Sequence, residues 1–133
     1  EIQVTENFNF TAGLNCHLDN YKKYDSKKKL SFASLSFLFK DEENSLIYSG
    51  DIGSEKDLYL FNQKADWFIT ETTHTEVENV VKILEKLNPG KLVLTHIGED
   101  LEESLGKYLE SLSEHLKSRV ILTFDGLELN HFK

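Results

Sequence analysis

The run Leu46-Ile47-Tyr48-Ser49-Gly50-Asp51 decides how this chain folds. Three apolar residues of a buried strand give way at once to a small residue, a glycine and a carboxylate, so Asp51 stands where the strand opens into a loop. Leu92-Val93-Leu94-Thr95-His96 repeats the arrangement with a histidine at the strand end. Upstream, Phe8, Phe10, Ala12 and Leu14 alternate with polar residues, the period of a half-buried strand that delivers His17 to a loop just past its end. His17, Asp51 and His96 thus form a set of potential ligands for one metal site assembled along a sheet edge, where open α/β sheets keep their chemistry.

Working outward from these strands, residues 20–29 are polar and basic without periodicity and read as a loop. Leu30 to Phe39 predicts a strand, and Asp41-Glu42-Glu43-Asn44 turns it back into Ser45 to Tyr48 as a hairpin. After Asp51 helices and strands alternate. Ser54 is placed to cap a short helix from Glu55 to Phe61, with Glu55 and Asp57 in its first turn. Trp67-Phe68-Ile69 is a buried strand. Thr75 is placed to cap a helix with apolar face Val77, Val80, Val81, Leu84 and Leu87, ended by Pro89-Gly90. Leu101, Leu105, Tyr108, Leu109, Leu112 and Leu116 recur at helical spacing, a stripe that reads as core. Val120-Ile121-Leu122 and Leu127 to Leu129 would finish the sheet around Asp125-Gly126. The reading is a single α/β domain over residues 1–133, a mixed sheet with flanking helices, without linker or repeat.

Composition narrows the function classes. A chain of 133 residues with 39% hydrophobic residues is long enough to bury a core. No stretch of about 18 apolar residues exists to span a membrane. Cys16, the one cysteine, precludes an internal disulfide and fits a reducing, cytoplasmic setting. The net charge of −8 argues against generic polyanion binding. The local exception is the run Lys22, Lys23, Lys27, Lys28 and Lys29 around Tyr21 and Tyr24, which reads either as a solvated loop or as a phosphate-steering lip beside His17.

Four segments in order, residues 47–51, 66–71 (Asp-Trp-Phe-Ile-Thr-Glu), 92–97 (Leu-Val-Leu-Thr-His-Ile) and 125–129 (Asp-Gly-Leu-Glu-Leu), resemble the C-terminal half of the metallo-β-lactamase superfamily, in its ribonuclease Z and phosphodiesterase branch. The resemblance covers residues 8–132. The family's His-x-His-x-Asp-His loop has no counterpart here, and Asn15-Cys16-His17-Leu18-Asp19-Asn20 lies too close to Asp51 to be that loop. His17 then matches the family's later histidine, and the first half of the αββα sandwich lies outside these residues. The absence of any Met fits a fragment, a processed product or one subunit of a split protein. The resemblance implies a two-metal site, normally Zn²⁺ with Mn²⁺ or Fe as alternatives, in which His17 and His96 are terminal ligands and Asp51 is the bridge. It implies hydrolysis of a phosphodiester, in a nucleic acid or a cyclic nucleotide. A thioester or lactam substrate is the alternative within the hydrolase class, and a non-catalytic interaction subunit the alternative outside it.

Glu71 and His74 carry the remaining chemistry. In the ribonuclease Z branch a Glu after the corresponding strand and a later Gly-His-Ser/Thr run lie near the reacting phosphate, which the resemblance carries over to Glu71 and His74 as catalytic residues, His74 as proton donor or phosphate contact. Here Thr73 replaces the glycine and the intervening insertion is missing. The alternative leaves His74 exposed beside a capping Thr75. Asp51 as a turn residue and His96 as a satisfied histidine at a sheet end are the corresponding plain readings. His115 and His131 have no partner by spacing and read as surface residues. The expected partner is the missing first half or another polypeptide, in a homo- or hetero-oligomer, because half of a two-sheet sandwich would leave the apolar faces of residues 30–39 and of Val93 uncovered.

Overall fold

The computed structural model describes residues 2–129, and for residues 3–5, 99, 100 and 102 the backbone only. Among the described residues seven strands form one sheet in the order of the chain: β1 (Ile2–Thr5), β2 (Phe8–Asn15), β3 (Ser34–Lys40), β4 (Ser45–Tyr48), β5 (Trp67–Glu71), β6 (Lys91–Thr95) and β7 (Val120–Leu122). The first four pair antiparallel and the last four parallel, so β4 is the hinge between a meander and a crossover-connected half. This is a mixed α/β sheet, as its sequence pattern predicts. Because β2 and β4 each run antiparallel to β3, the carboxyl ends of β2, β4, β5 and β6 all lie along one sheet edge. His17, Asp51, Glu71 and His96 follow or end those strands.

The helices are α1 (Val77–Val81), α2 (Ile83–Lys86), α3 (Glu99–Glu110) and α4 (Glu114–Lys117). Register fixes which side of the sheet they cover. Leu38, Ile47, Phe68 and Leu92 are neighbours across β3 to β6, all point to one face, and pack with Val80, Ile83, Leu84, Leu105 and Leu109 of the helices in one core. The opposite face carries Phe10, Phe37, Phe39, Leu46, Tyr48, Ile69, Val93 and Ile121, none of which belongs to that core. Its aromatic rings pack on one another instead, with Phe37 and Phe39 centroids 5.8 Å apart and Phe10 and Phe39 6.0 Å apart.

Several expectations are corrected. The strand expected from Leu30 begins at Ser34, and Leu30 is exposed at 67%. Lys28 takes a left-handed φ of 50° and Asp25 accepts the Leu30 N–H, so the basic loop folds on itself before the strand can start. Within that loop a short 3₁₀ turn spans Asp19–Tyr24. The segment after Ser54 is also 3₁₀, Glu55–Tyr59. Thr75 does not cap the next helix; Glu76 flanks its start without a side-chain bond. The expected single helix there breaks into α1 and α2 at Lys82. The leucine stripe likewise breaks, and Ser113 caps α4 by accepting from Leu116 N at 3.5 Å. Residues 127–129 form no strand, whereas β1, which has little alternation to announce it, adds an edge strand. Val93 is buried, at 1% exposure: its short side chain lies between Ile69 and Ile121 directly opposite on the two adjacent strands. His115 is exposed, and His131 lies outside the described residues.

Candidate metal centre

Asp51 sits between two imidazoles. Its Oδ2 is 4.0 Å from His17 Nε2 and its Oδ1 3.4 Å from His96 Nδ1. His74 completes the group, its ring 4.8 Å from that of His17, edge to face, and 6.0 Å from that of His96. All five residues singled out from the sequence, His17, Asp51, Glu71, His74 and His96, therefore meet at the one edge where four strands end. The site is open on one side: the side chains of Asp51 and His96 are about half exposed.

Backbone geometry explains the convergence. Gly50, at φ +61°, lets β4 turn sharply where an added Cβ would stand 2.9 Å from the Leu35 carbonyl oxygen. Gly53 lets the next loop lie against the strand end that carries His17, since a Cβ there would fall 2.5 Å from the Cys16 carbonyl. Between them Ile52, fully buried, uses both of its backbone groups on the site. Its carbonyl accepts from His17 Nδ1 at 3.3 Å and its N–H donates to Glu71 Oε1 at 3.2 Å. His96 also holds a left-handed φ of 49°, which costs a non-glycine residue roughly 1–2 kcal/mol and tends to be retained at functional positions. His96→Gly is therefore expected to raise stability slightly, by about 0.5 kcal/mol once glycine's extra chain entropy is subtracted. A thermal melt that falls by several degrees instead would show that the left-handed turn is not strained.

Glu71 is 2% exposed, and its carboxylate is fully engaged. Oε1 accepts from Ile52 N and from His74 Nδ1 at 3.0 Å; Oε2 accepts from Thr73 N and from His74 N at 2.9 Å. Although Glu71, His74 and His96 place ligand atoms within 4.8 Å of one another, a carboxylate with both oxygens so committed has little left for a cation. Its effect is to hold His74 with Nδ1 protonated and Nε2 free. His17 is held in the same way by the Ile52 carbonyl. An imidazole whose far nitrogen donates to a carboxylate or carbonyl is the usual outer arrangement of a metal-ligating histidine, so the donor set fits a divalent transition metal.

No known protein family's sequence profile matches the chain, and no curated protein matches it in sequence.

Beneath the site lies a polar layer that the sequence does not announce. Asn15 Nδ2 and Ser36 Oγ donate to the Ser49 carbonyl, and Ser49 Oγ bonds Thr70 Oγ1 at 2.9 Å, all buried. Asp57 accepts from Cys16 N, Gly53 N and Ser54 N, fastening the His17 loop to the loop after Asp51. The only hint of Asp57's role is its spacing three residues after Ser54, the capping-box offset. The Cys16 thiol is engaged with Ser54 and Asp57. Its hydrogen bond with Ser54 lowers the thiol pKa, but the Asp57 acceptor, burial and the charges of Asp57 and Asp19 outweigh it and raise the pKa above the ordinary value of 9.0. The basic loop after His17 bounds a 270 Å³ pocket lined by Lys22, Asp25, Lys28, Leu30 and Phe32; Lys22 is paired with Asp19 at 2.5 Å. Among the described residues no helix is long and apolar enough to cross a membrane.

Proposed function

We propose that this chain carries the reactive edge of a metal-dependent hydrolase, built as the C-terminal half of a metallo-β-lactamase αββα sandwich and acting on a phosphodiester. The observation that carries the reading is Asp51 facing His17 and His96 at once, with the His74 ring, held by Glu71, beside both imidazoles. A divalent metal, Zn²⁺ by the chemistry of the donors, would be held by His17, Asp51 and His96 and would supply Lewis-acid polarisation and a lowered pKa for water. The protein's own part is orientation and proton handling. Glu71 fixes the imidazole of His74 so that the unprotonated Nε2 is the nitrogen that faces substrate, where it would take a proton from the attacking water and then pass that proton to the leaving oxygen. The basic loop that follows His17 in the chain, with Lys28 lining a pocket of its own, favours a substrate that carries a phosphate over a thioester or a lactam. A second metal would need ligands from outside these residues.

The test is hydrolysis of bis(p-nitrophenyl) phosphate with added Zn²⁺ or Mn²⁺, by the chain alone and by the chain joined to a first half bearing the His-x-His-x-Asp-His loop. Activity that needs the metal and falls at least a hundredfold in His74→Ala is the expected result. Turnover indifferent to chelator, or absent from both forms, refutes it.

The aromatic sheet face favours a second reading, in which the chain is an interaction subunit whose face packs on another apolar sheet about 10 Å away. Leu35 at 39% and Tyr48 at 42% exposure mark how much of it is uncovered. Light scattering checks this: the chain should associate at micromolar concentration, and Leu35→Lys with Tyr48→Lys should make it monomeric. A wild-type monomer at high micromolar concentration excludes this reading.

A further inference from the structure

We infer that in the substrate-free protein His74 is the fourth ligand of a single metal ion, so that His17, Asp51, His74 and His96 form a three-histidine, one-carboxylate site complete within this chain. This goes beyond the hydrolase reading, which gives the metal to three of these residues, and rests on it only for the presence of a metal.

The argument is geometric. Imidazoles bound to one tetrahedral ion through bonds of about 2.0–2.1 Å hold their ring centres roughly 5 Å apart. The His17 and His74 rings are 4.8 Å apart, and the His74 and His96 rings 6.0 Å. The three rings are thus close enough for shared ligation once side chains rotate, since as they stand only Glu71, His74 and His96, among the described residues, place ligand atoms within 4.8 Å of one another. The Asp51 oxygens fill the remaining corner, at 3.4 Å from His96 Nδ1 and 4.0 Å from His17 Nε2. Adjacent donors on a tetrahedral ion stand about 3.3 Å apart at such bond lengths.

Tautomer control supplies the second argument. His17 and His74 come from separate segments, yet each has Nδ1 tied to a buried acceptor, the Ile52 carbonyl and the Glu71 carboxylate. Ile52 links the two acceptors through its own N–H to Glu71. Both rings are therefore fixed with Nε2 as the free donor, an arrangement that a residue serving only as a helix-flanking surface histidine does not need. With Glu71 saturated by hydrogen bonds, the fourth donor is His74 and not the carboxylate beside it.

Titration of the metal-free chain with Zn²⁺, followed by calorimetry and by ¹⁵N spectra of labelled histidines, tests the assignment without reference to activity. One equivalent should bind, and the imidazole nitrogens of His17, His74 and His96 should all shift while those of His115 and His131 stay in place. His74→Ala should weaken binding about a hundredfold, as His17→Ala does, and Glu71→Gln about tenfold. Spectra in which His17 and His96 shift but His74 does not overturn the proposal and leave the hydrolase reading standing. Zn²⁺ binding unchanged in all three histidine variants overturns both. The spectra of the unaltered chain decide the matter even if a variant fails to fold.

Discussion

Asp51→Asn should keep the fold and abolish the chemistry. The substitution preserves size and one carbonyl oxygen but removes the negative charge and turns one of the two facing oxygens into an amide NH₂. That group cannot ligate a cation held by His17 or His96, whose nitrogens stand 4.0 and 3.4 Å away. Loss of the polarisation that a metal supplies is worth several kcal/mol, and about 4 kcal/mol corresponds to a thousandfold in rate. Metal-dependent phosphodiester hydrolysis is therefore expected to fall by roughly that factor, with Zn²⁺ affinity reduced in parallel. Stability of the metal-free chain should change little, because the Asp51 side chain is about half exposed and the substitution empties no core volume. A variant that retains Zn²⁺ affinity within a few-fold would remove Asp51 from the site. One that unfolds would make it a structural residue of the turn.

What the sequence displayed and what it hid separate along physical lines. The ends of β4, β5 and β6 were legible because each strand is a short apolar run that stops abruptly at a polar or small residue, and the end of β2 because its apolar alternation stops after Leu14. Strand direction alone then brings His17, Asp51, Glu71 and His96 to one edge. Helix limits were less legible: the apolar spacing of residues 77–87 continues through Lys82, where the structure breaks the helix, because periodicity reports which face is buried and not whether every turn is α-helical. The buttressing groups were hidden for another reason. Asn15, Ser36, Ser49 and Thr70 are common turn and strand residues whose partners lie 13 to 34 positions away, and no local pattern encodes such a pairing. Glu71 is intermediate. Its three-residue offset to His74 marks a pair, but only its burial and its two backbone donors from Thr73 and His74 distinguish a saturated positioning carboxylate from a ligand.

Asp57 offers the largest stability effect that does not touch the candidate ligands. Its carboxylate is the acceptor for the backbone N–H groups of Cys16, Gly53 and Ser54, at 2.9 to 3.2 Å, and for the Cys16 thiol at 3.1 Å. Asp57→Ala leaves these donors without their acceptor in a part-buried place. Hydrogen bonds to a charged group contribute about 1.5–3 kcal/mol each, with strong overlap when they share one carboxylate. A loss of about 3 kcal/mol follows, or roughly 10 °C in Tm for a domain of this size. Asp57→Asn keeps one accepting oxygen and should lose about half as much. The same bonds tie the His17 loop to the loop that begins at Asp51, and the two chain segments touch so closely at Gly53 that a Cβ would meet the Cys16 backbone. Releasing them should let His17 move away from Asp51, so Zn²⁺ affinity should fall in Asp57→Ala although no proposed ligand has been altered. Thermal melts of the metal-free variants alongside Zn²⁺ titrations separate the two effects. A destabilised Asp57→Ala that still binds Zn²⁺ like the parent would show that His17 is positioned by the Ile52 carbonyl alone.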